Sequence, residues 1–500
     1  MNIAYAEPSR KPVSFLNWEG SAGAFAQRTD WWSPFVILVL ATWSVLAIYS
    51  TGSLKTPAFF AQEFASKQLS YVCIGWVAYW VISLLELRAL ERYAWVLYAA
   101  GVIPLLLVAA CAVLKTDLGG LVAHRLGARR WIFLPGFSVQ PSEFAKISTL
   151  VLLAFTVGRG VVFEGLSIWE RWVVAVAGAI FRMPPWRRFC EPVNGHLPMI
   201  VRTTWITALP FALIFVQPDL GSALLYVPMV FALQLVANVP LRFFAILALL
   251  ALPGAVVLTV DMSQYGAALR QYQENPPEGA SLRDPALGIR ETFQGILPLR
   301  NYHRERIMTL VNPRLIDPNG EGKDWQPRQA RMAIARGGLW GQGFQNGTLV
   351  RLGWLPEMAA HNDFIFASIC EEAGFVGGAA ILCLFGALAV FALTAAARAP
   401  DKFHAALAAG VAVILVSHVL VNVGMNVGIM PVTGISLPFL SYGGSFILSC
   451  FLLFGIAQSV HRSGRPLAPS GAEGDGDFQT SSQLPRVGTT HASRTSSTPT

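Results

Sequence analysis

The sequence predicts an all-α integral membrane protein: about ten transmembrane helices with one large extracytoplasmic loop between helices 7 and 8. Three observations predict it. Of 500 residues, 54% are hydrophobic and 13% charged, with a mean hydropathy of +0.50. Apolar runs recur at the length of ~20 residues that crosses a bilayer as a helix, the form that satisfies its own backbone polar groups in lipid. Between two such runs lies a polar stretch, 262–362, dense in Gly, Arg and spaced carboxylates. A loop of that length in a membrane protein is more apt to bind or transform something than to link two helices.

Residues 1–33 are polar, with Arg10, Lys11 and Arg28 and no short apolar core. They read as a cytoplasmic segment and not as a signal peptide. The membrane domain, 34–460, holds spans at 34–51, 68–85, 93–114, 142–157, 204–217, 220–237, 242–260, 364–394, 404–427 and 438–460. Pro218, Asp219 and Gly221 divide one apolar run into a tight hairpin, so the fifth span is short. Leu166–Phe181, with Trp169 and Trp172, is too short to span and reads as an interfacial helix within a 158–203 cytoplasmic loop. The six cysteines show no CxxC spacing and read as packing residues. From Ser463 to 500 the chain is rich in Ser, Thr, Pro and Gly, the composition of a disordered tail.

Ten spans put both termini on one side, and Arg88, Arg92, Arg242, Arg398, Lys402, Arg462 and Arg465 make that side cytoplasmic. The short outer loop 115–140 breaks the rule with Lys115, Arg125, Arg129 and Arg130 against Asp117. Positive charge just outside the membrane suits a lipid phosphate or pyrophosphate, and equally suits pairing with the loop's own carboxylates. Glu143 and Lys146 begin the fourth span three residues apart, on one face, where a charge is costly unless paired or facing a cavity. An orienting salt bridge and a phosphate contact both fit. Asp219 fits a helix N-cap and also an outward-facing cavity. Gly and Pro between the last two spans indicate irregular backbone that packs against protein or lines a cavity.

Six ordered segments carry a resemblance: RRWIFLPGFSVQPSEFAK, QPDLGSALL, RIMTLVNPRLIDPNGEG, QARMAIARGGLWGQGFQNGT, WLPEMAAHNDFIFASICEEAGFVG and GIMPVTGISLPFLSYGGS. The chain resembles the shape, elongation, division and sporulation (SEDS) family, over about 34–460, and its elongation (RodA-like) more than its division (FtsW-like) branch. The resemblance implies a peptidoglycan glycosyltransferase that polymerises lipid II on the outer face of the bacterial cytoplasmic membrane. Its implied partners are membrane lipids and a class B penicillin-binding protein, with no nucleic acid. It assigns the catalytic carboxylate to Asp317, in a Pro–x–x–x–Asp–Pro setting. Its helix-start glutamate and lysine fall on Glu143 and Lys146, and its Leu-Pro-Glu…Asp-Phe-Ile-Phe motif gives Glu357 and Asp363; with Arg130, Asp219 and Gln329 these are the expected substrate contacts. GKDWQ replaces the family's Gly-Tyr-Gln after the catalytic aspartate, which makes Asp324 a competing carboxylate. Asn362 stands where the family has Thr, and the 158–203 loop is longer than usual. The resemblance leaves room for a divalent cation, magnesium or manganese, although no ligand spacing specifies one.

The chemistry needs one general base. An acceptor 4-hydroxyl must lose its proton as it attacks the donor's anomeric carbon, while undecaprenyl pyrophosphate is already a good leaving group. Read without the resemblance, Asp317 is an Asp-Pro turn residue. The competing functions are a lipid II flippase, which membrane-level charges permit, and an inactive scaffold for the transpeptidase.

Overall fold

Bilayer-length apolar segments dictate the architecture, and the computed structural model of the chain is a bundle of helices. It describes residues 29–52, 58–122, 129–135, 137–184, 187–275, 289, 293–297, 301–320, 322, 324–352, 354 and 360–464. These belong to one unit within Met1–Arg465. Residues 1–28, Arg125, Glu357 and the tail from Arg465 lie outside the described residues.

In chain order the helices are α1 (Trp32–Gly52), α2 (Ala58–Leu84), α3 (Leu87–Arg92), α4 (Ala94–Leu114), α5 (Pro141–Arg159), α6 (Ile168–Phe181), α7 (Arg187–Asn194), α8 (Leu197–Val216), α9 (Leu220–Leu224), α10 (Tyr226–Val236), α11 (Leu241–Glu274), α12 (Asn301–Val311), α13 (Pro313–Ile316), α14 (Trp325–Gly337), α15 (Thr348–Leu352), α16 (Ile365–Ala397), α17 (Lys402–Val427) and α18 (Gly444–Ser463). Among the described residues seven are long and apolar enough to cross a membrane: α1, α4, α8, α11, α16, α17 and α18. With α2, α5 and the α9–α10 pair packed beside them, the ten predicted spans are accounted for.

Local chemistry explains the starts and stops. Pro141 opens α5 at its first turn, with Glu143 in the same turn, where a carboxylate meets the positive end of the helix. Ser167 and Glu170 form a reciprocal capping box on α6. Asp219 accepts the Ser222 N–H and caps α9. Helix α6 packs on α8, with Trp169 and Trp172 exposed.

Four boundaries differ from expectation. Helix α8 begins at Leu197 and not at 204, so the fifth span is a full 20 residues and not short. Helix α2 begins ten residues before the apolar run, its polar start supported by a Lys67–Glu63 ion pair of 2.5 Å. Helix α11 continues past residue 260 to Glu274, because its polar end packs Tyr265 and Leu269 against Met308 and Ile316 of the large loop. The last helix begins at Gly444 and not at 438. There Leu437 N–H donates to Ser441 Oγ at 2.7 Å, the Leu440 and Ser441 N–H groups return to the Leu437 carbonyl, and Phe439 adopts φ 61°.

One sheet element matters. Ile132–Leu134 (β1) and Phe137–Val139 (β2) pair antiparallel, Ile132 opposite Val139. Ser445 pins this hairpin to the start of α18, donating to the Ser138 carbonyl at 2.9 Å and accepting the Gln140 N–H at 3.2 Å.

Candidate active site

The site is built at the end of the bundle where α5, α9, α16 and α18 begin and α17 ends. A turn, 428–443, occupies its centre, and buried amides hold it. Asn422 Nδ2 donates to the carbonyls of Ile435 (2.7 Å) and Asp363 (2.9 Å); Asn426 Nδ2 reaches the Asp363 carbonyl at 3.1 Å. Gln68 donates to Ser44 Oγ and to the Ser441 carbonyl. Ser441 Oγ donates to the Asn362 carbonyl at 2.7 Å, and the Tyr442 N–H to the His361 carbonyl at 2.8 Å. These bonds leave the buried irregular backbone hydrogen-bonded, as a site at membrane depth requires.

Three of the expected residues meet on this hub. Arg130 reaches Asp219 at 3.8 Å and donates to the Gln217 and Pro218 carbonyls. Gln140 Nε2 approaches the other Asp219 oxygen at 3.4 Å. A Cβ on Gly221 would lie 2.9 Å from the Thr433 carbonyl oxygen, so glycine lets the capped turn press on the hub. Asp363 lies against Gly434. Burial pushes its carboxyl up to about 6; Arg306 and Arg130 pull it down, and Asp219 pushes it further up. Asp219 is thus both a helix cap and a member of this cluster.

Arg306 opens onto a cavity of about 500 Å³ whose wall includes Glu305, Asp324, Trp325, Arg331, Met425 and Pro431. Arg331 approaches Asp324 at 3.3 Å. Burial raises the Asp324 carboxyl, Arg331 opposes that shift, and Asp317 adds to it. Asp317 stands at the end of α13, 4% exposed. Its Oδ2 accepts the N–H of Gly322 at 2.6 Å and of Asp324 at 3.3 Å. The carboxylate therefore organises the 317–324 loop, and Asp324 is the one of the two in the cavity wall. The turn reading of Asp317 describes this arrangement.

Glu143 and Lys146 sit deeper. Their ion pair is 3.0 Å with both side chains buried. Lys146 Nζ also meets His418 Nε2 at 3.0 Å, while His418 Nδ1 faces the Ser436 carbonyl at 3.1 Å. That carbonyl takes the Nδ1 proton and leaves Nε2 as acceptor for the ammonium. Ser449 Oγ donates to Glu143 at 3.2 Å. Both charges line a small void of about 20 Å³, apart from the 500 Å³ cavity.

Gln329 is buried in α14, its Oε1 without a hydrogen-bond partner among the described residues. Glu357 lies outside them. The Gly-rich motif has its own geometry. Helix α16 breaks at Gly374 (φ 68°, ψ −167°). An unbroken helix would join the Phe375 and Val376 N–H groups to the Glu371 and Glu372 carbonyls. Instead those N–H groups bond Gly338 (2.8 Å) and Leu339 (3.2 Å), and those carbonyls accept from Gln342 (2.9 Å) and Gly343 (3.0 Å). Glu371 accepts the Leu349 N–H, and Glu372 accepts from Gln345 and Ser50. The motif is a loop docked into a helix break.

Sequence reasoning missed His418, Asn422, Asn426, Arg306 and Arg331. The first three were readable, since polar residues at i, i+4 and i+8 on an apolar helix mark one interior face.

A multi-pass membrane bundle carrying carboxylates and arginines around a cavity at its large loop is the class of protein that this fold and site define. The model of the FtsW, RodA and SpoVE cell cycle protein family matches residues 31–281 and 287–465, and the chain belongs to that family. It is 28% identical over 436 residues to a probable peptidoglycan glycosyltransferase FtsW of Trichlorobacter lovleyi, covering 87% of this chain and 93% of that protein. It is 29% identical over 438 residues to peptidoglycan glycosyltransferase MrdB of Escherichia coli K12, covering 87% and 94%. Among solved structures it resembles a chain from work on structural coordination of polymerization and crosslinking by a peptidoglycan synthase complex (25% identity, 87% and 98% coverage, TM-score 0.57). The rod shape determining protein RodA of Thermus thermophilus shares the fold (21% identity, 87% and 97% coverage, TM-score 0.51).

Proposed function

We propose that the chain is a peptidoglycan glycosyltransferase that polymerises lipid II on the outer face of the cytoplasmic membrane, both termini inside, during cell elongation. The observation that carries this reading is the family match across nearly the whole chain, with relatives named for that activity. The cavity that joins Asp324, Arg306 and Arg331 beside the Asp317 loop supports it. The similarity to a chain of a peptidoglycan synthase complex supports a class B penicillin-binding protein as partner.

Asp317 is the proposed base. It takes the proton of the acceptor 4-hydroxyl while that oxygen bonds the donor's anomeric carbon with inversion. The carbon–oxygen bond to pyrophosphate breaks, and its electron pair leaves on undecaprenyl pyrophosphate. Here Asp317 faces its own loop, so the acceptor must draw it toward the cavity, as catalytic hydrogen bonds often tighten only in the substrate complex. Arg306, Arg331 and Arg130 are positioned to stabilise pyrophosphate charge, an effect worth several kcal/mol where water is excluded. Among the described residues no three His, Cys, Asp or Glu side chains gather as ligands, so a divalent cation would be held largely by the pyrophosphate itself, with one carboxylate at most, such as Asp324 of the cavity wall.

The nearly equal identities to an FtsW and to MrdB favour a second reading, the division-type member of the family. Polymerisation of lipid II by the purified chain with its co-expressed transpeptidase tests the activity. Glycan ladders support it; lipid II crossing vesicles without ladders supports a flippase instead. Neither process from a folded, partnered chain supports a scaffold.

A further inference from the structure

At the opposite, basic end of the bundle, a groove of about 610 Å³ opens between α6, α8, α10 and the first turns of α11. Its walls are almost wholly apolar and include Trp169, Val173, Trp205, Phe211, Val230 and Phe243. The segment that roofs it is the unusually long 158–203 loop, which the glycosyltransferase reading does not use. The capping box fixes α6 in place, and the buried Glu170 pairs with Arg202 at 3.0 Å beside the groove. Arg182, Arg187 and Arg188 follow α6 and are exposed. With Glu170 already paired, Glu164 and Glu191 are the remaining acids of the loop, and its charge stays positive.

One further feature indicates a lipid occupant. The apolar stretch of α11 has no buried residue, so the groove's α11 side faces the bilayer and gives lateral entry.

We propose that this groove holds an acyl chain of an anionic phospholipid from the leaflet at the basic end. The exposed arginines attract the phosphate. The volume lies in the range of small-ligand sites, and in-plane helices with an apolar face and arginines meet anionic lipid in this way. The inference is independent of the chemistry at the other end.

The test is native mass spectrometry of the full chain in detergent, with dioleoyl phosphatidylglycerol or dioleoyl phosphatidylcholine added at equal concentration. The parent is expected to retain phosphatidylglycerol roughly tenfold better. Ala208→Trp and Val227→Trp, both at exposed lining positions, should fill the groove and bring retention to background while the unfolding midpoint stays at the parent's. Arg187→Gln with Arg188→Gln should erase the preference and leave tail binding. Equal retention of both lipids by the parent overturns the proposal, as does undiminished retention in both tryptophan variants.

Discussion

Gly374 and Gly341 pack backbone to backbone: a Cβ on Gly374 would run into the Gly341 nitrogen, and a Cβ on Gly341 into the Glu372 carbonyl. The two glycines let the 338–343 loop take over the hydrogen bonds that α16 gives up at its break. Gly374 holds φ 68° and ψ −167°, a region that only glycine enters readily, at a cost on the order of 1–3 kcal/mol for other residues. Gly374→Ala is therefore expected to undock the loop. Limited proteolysis should show new cleavage within 338–346, with a lower unfolding midpoint. An alanine variant cleaved as slowly as the parent would sink this account.

Asp317 and Asp324 can be separated by their partners. Asn at 317 keeps an oxygen for the Gly322 N–H but loses the carboxylate's basicity and the negative charge that acts on Asp324, so Asp317→Asn should keep the loop folded. Loss of a general base costs typically 10²–10⁴-fold in rate. Asp324→Asn keeps Asp317 and should lower polymerisation far less, chiefly by loosening the Arg331 contact. Ladder formation by the two purified variants decides the matter. Activity in Asp317→Asn with none in Asp324→Asn transfers the base to the cavity wall.

The spans were legible because a bilayer demands an apolar length that few other structures imitate. What escaped lay where polar residues extend a helix beyond the hydrocarbon, as at Glu63 and Lys67, or where a serine side chain closes a turn, as Ser441 does for Leu437. Arg130, Asp219 and Asp363 could be singled out one at a time as charges beside the membrane. Their meeting on the 428–443 turn depends on tertiary packing that no local pattern encodes. The direction of Asp317 was not legible, because its carboxylate accepts backbone N–H groups five and seven residues along a loop with an altered sequence.

Asp363 predicts a pH dependence with a definite sign. Its folded carboxyl sits at about 6, against about 3.9 when unfolded. The folded state therefore binds its proton more tightly, and the stabilisation is complete below about 3.9 and lost as pH rises through about 6. Asp363→Asn, which mimics the protonated form, should match the parent near pH 4 and exceed it above pH 6, by at most about 3 kcal/mol before the residue's partial exposure is discounted. His361, held down to about 4 by burial, titrates in both proteins and cancels in the difference. Thermal midpoints across pH 4–8 measure it. A gap that widens toward acid would reverse the sign and refute the assignment.

The buried Glu143–Lys146 pair should behave as a unit. Removing one charge from a buried pair typically costs 3–5 kcal/mol, because the other is left uncompensated, whereas replacing both can be close to neutral. Lys146→Met strands Glu143 with only Ser449 as donor among the described residues. It also leaves His418 Nε2 without its proton donor. Glu143→Gln alone leaves the ammonium with an amide oxygen and His418, a milder loss. The double variant, Glu143→Gln with Lys146→Met, should recover most of the stability lost in Lys146→Met. Unfolding midpoints of the four proteins form the cycle, and simple additivity would mean that the 3.0 Å contact couples nothing. If the pair serves only to orient α5, the double variant should also regain polymerisation. Restored folding without restored ladders would instead give Lys146 a part in the reaction that this buried arrangement does not display.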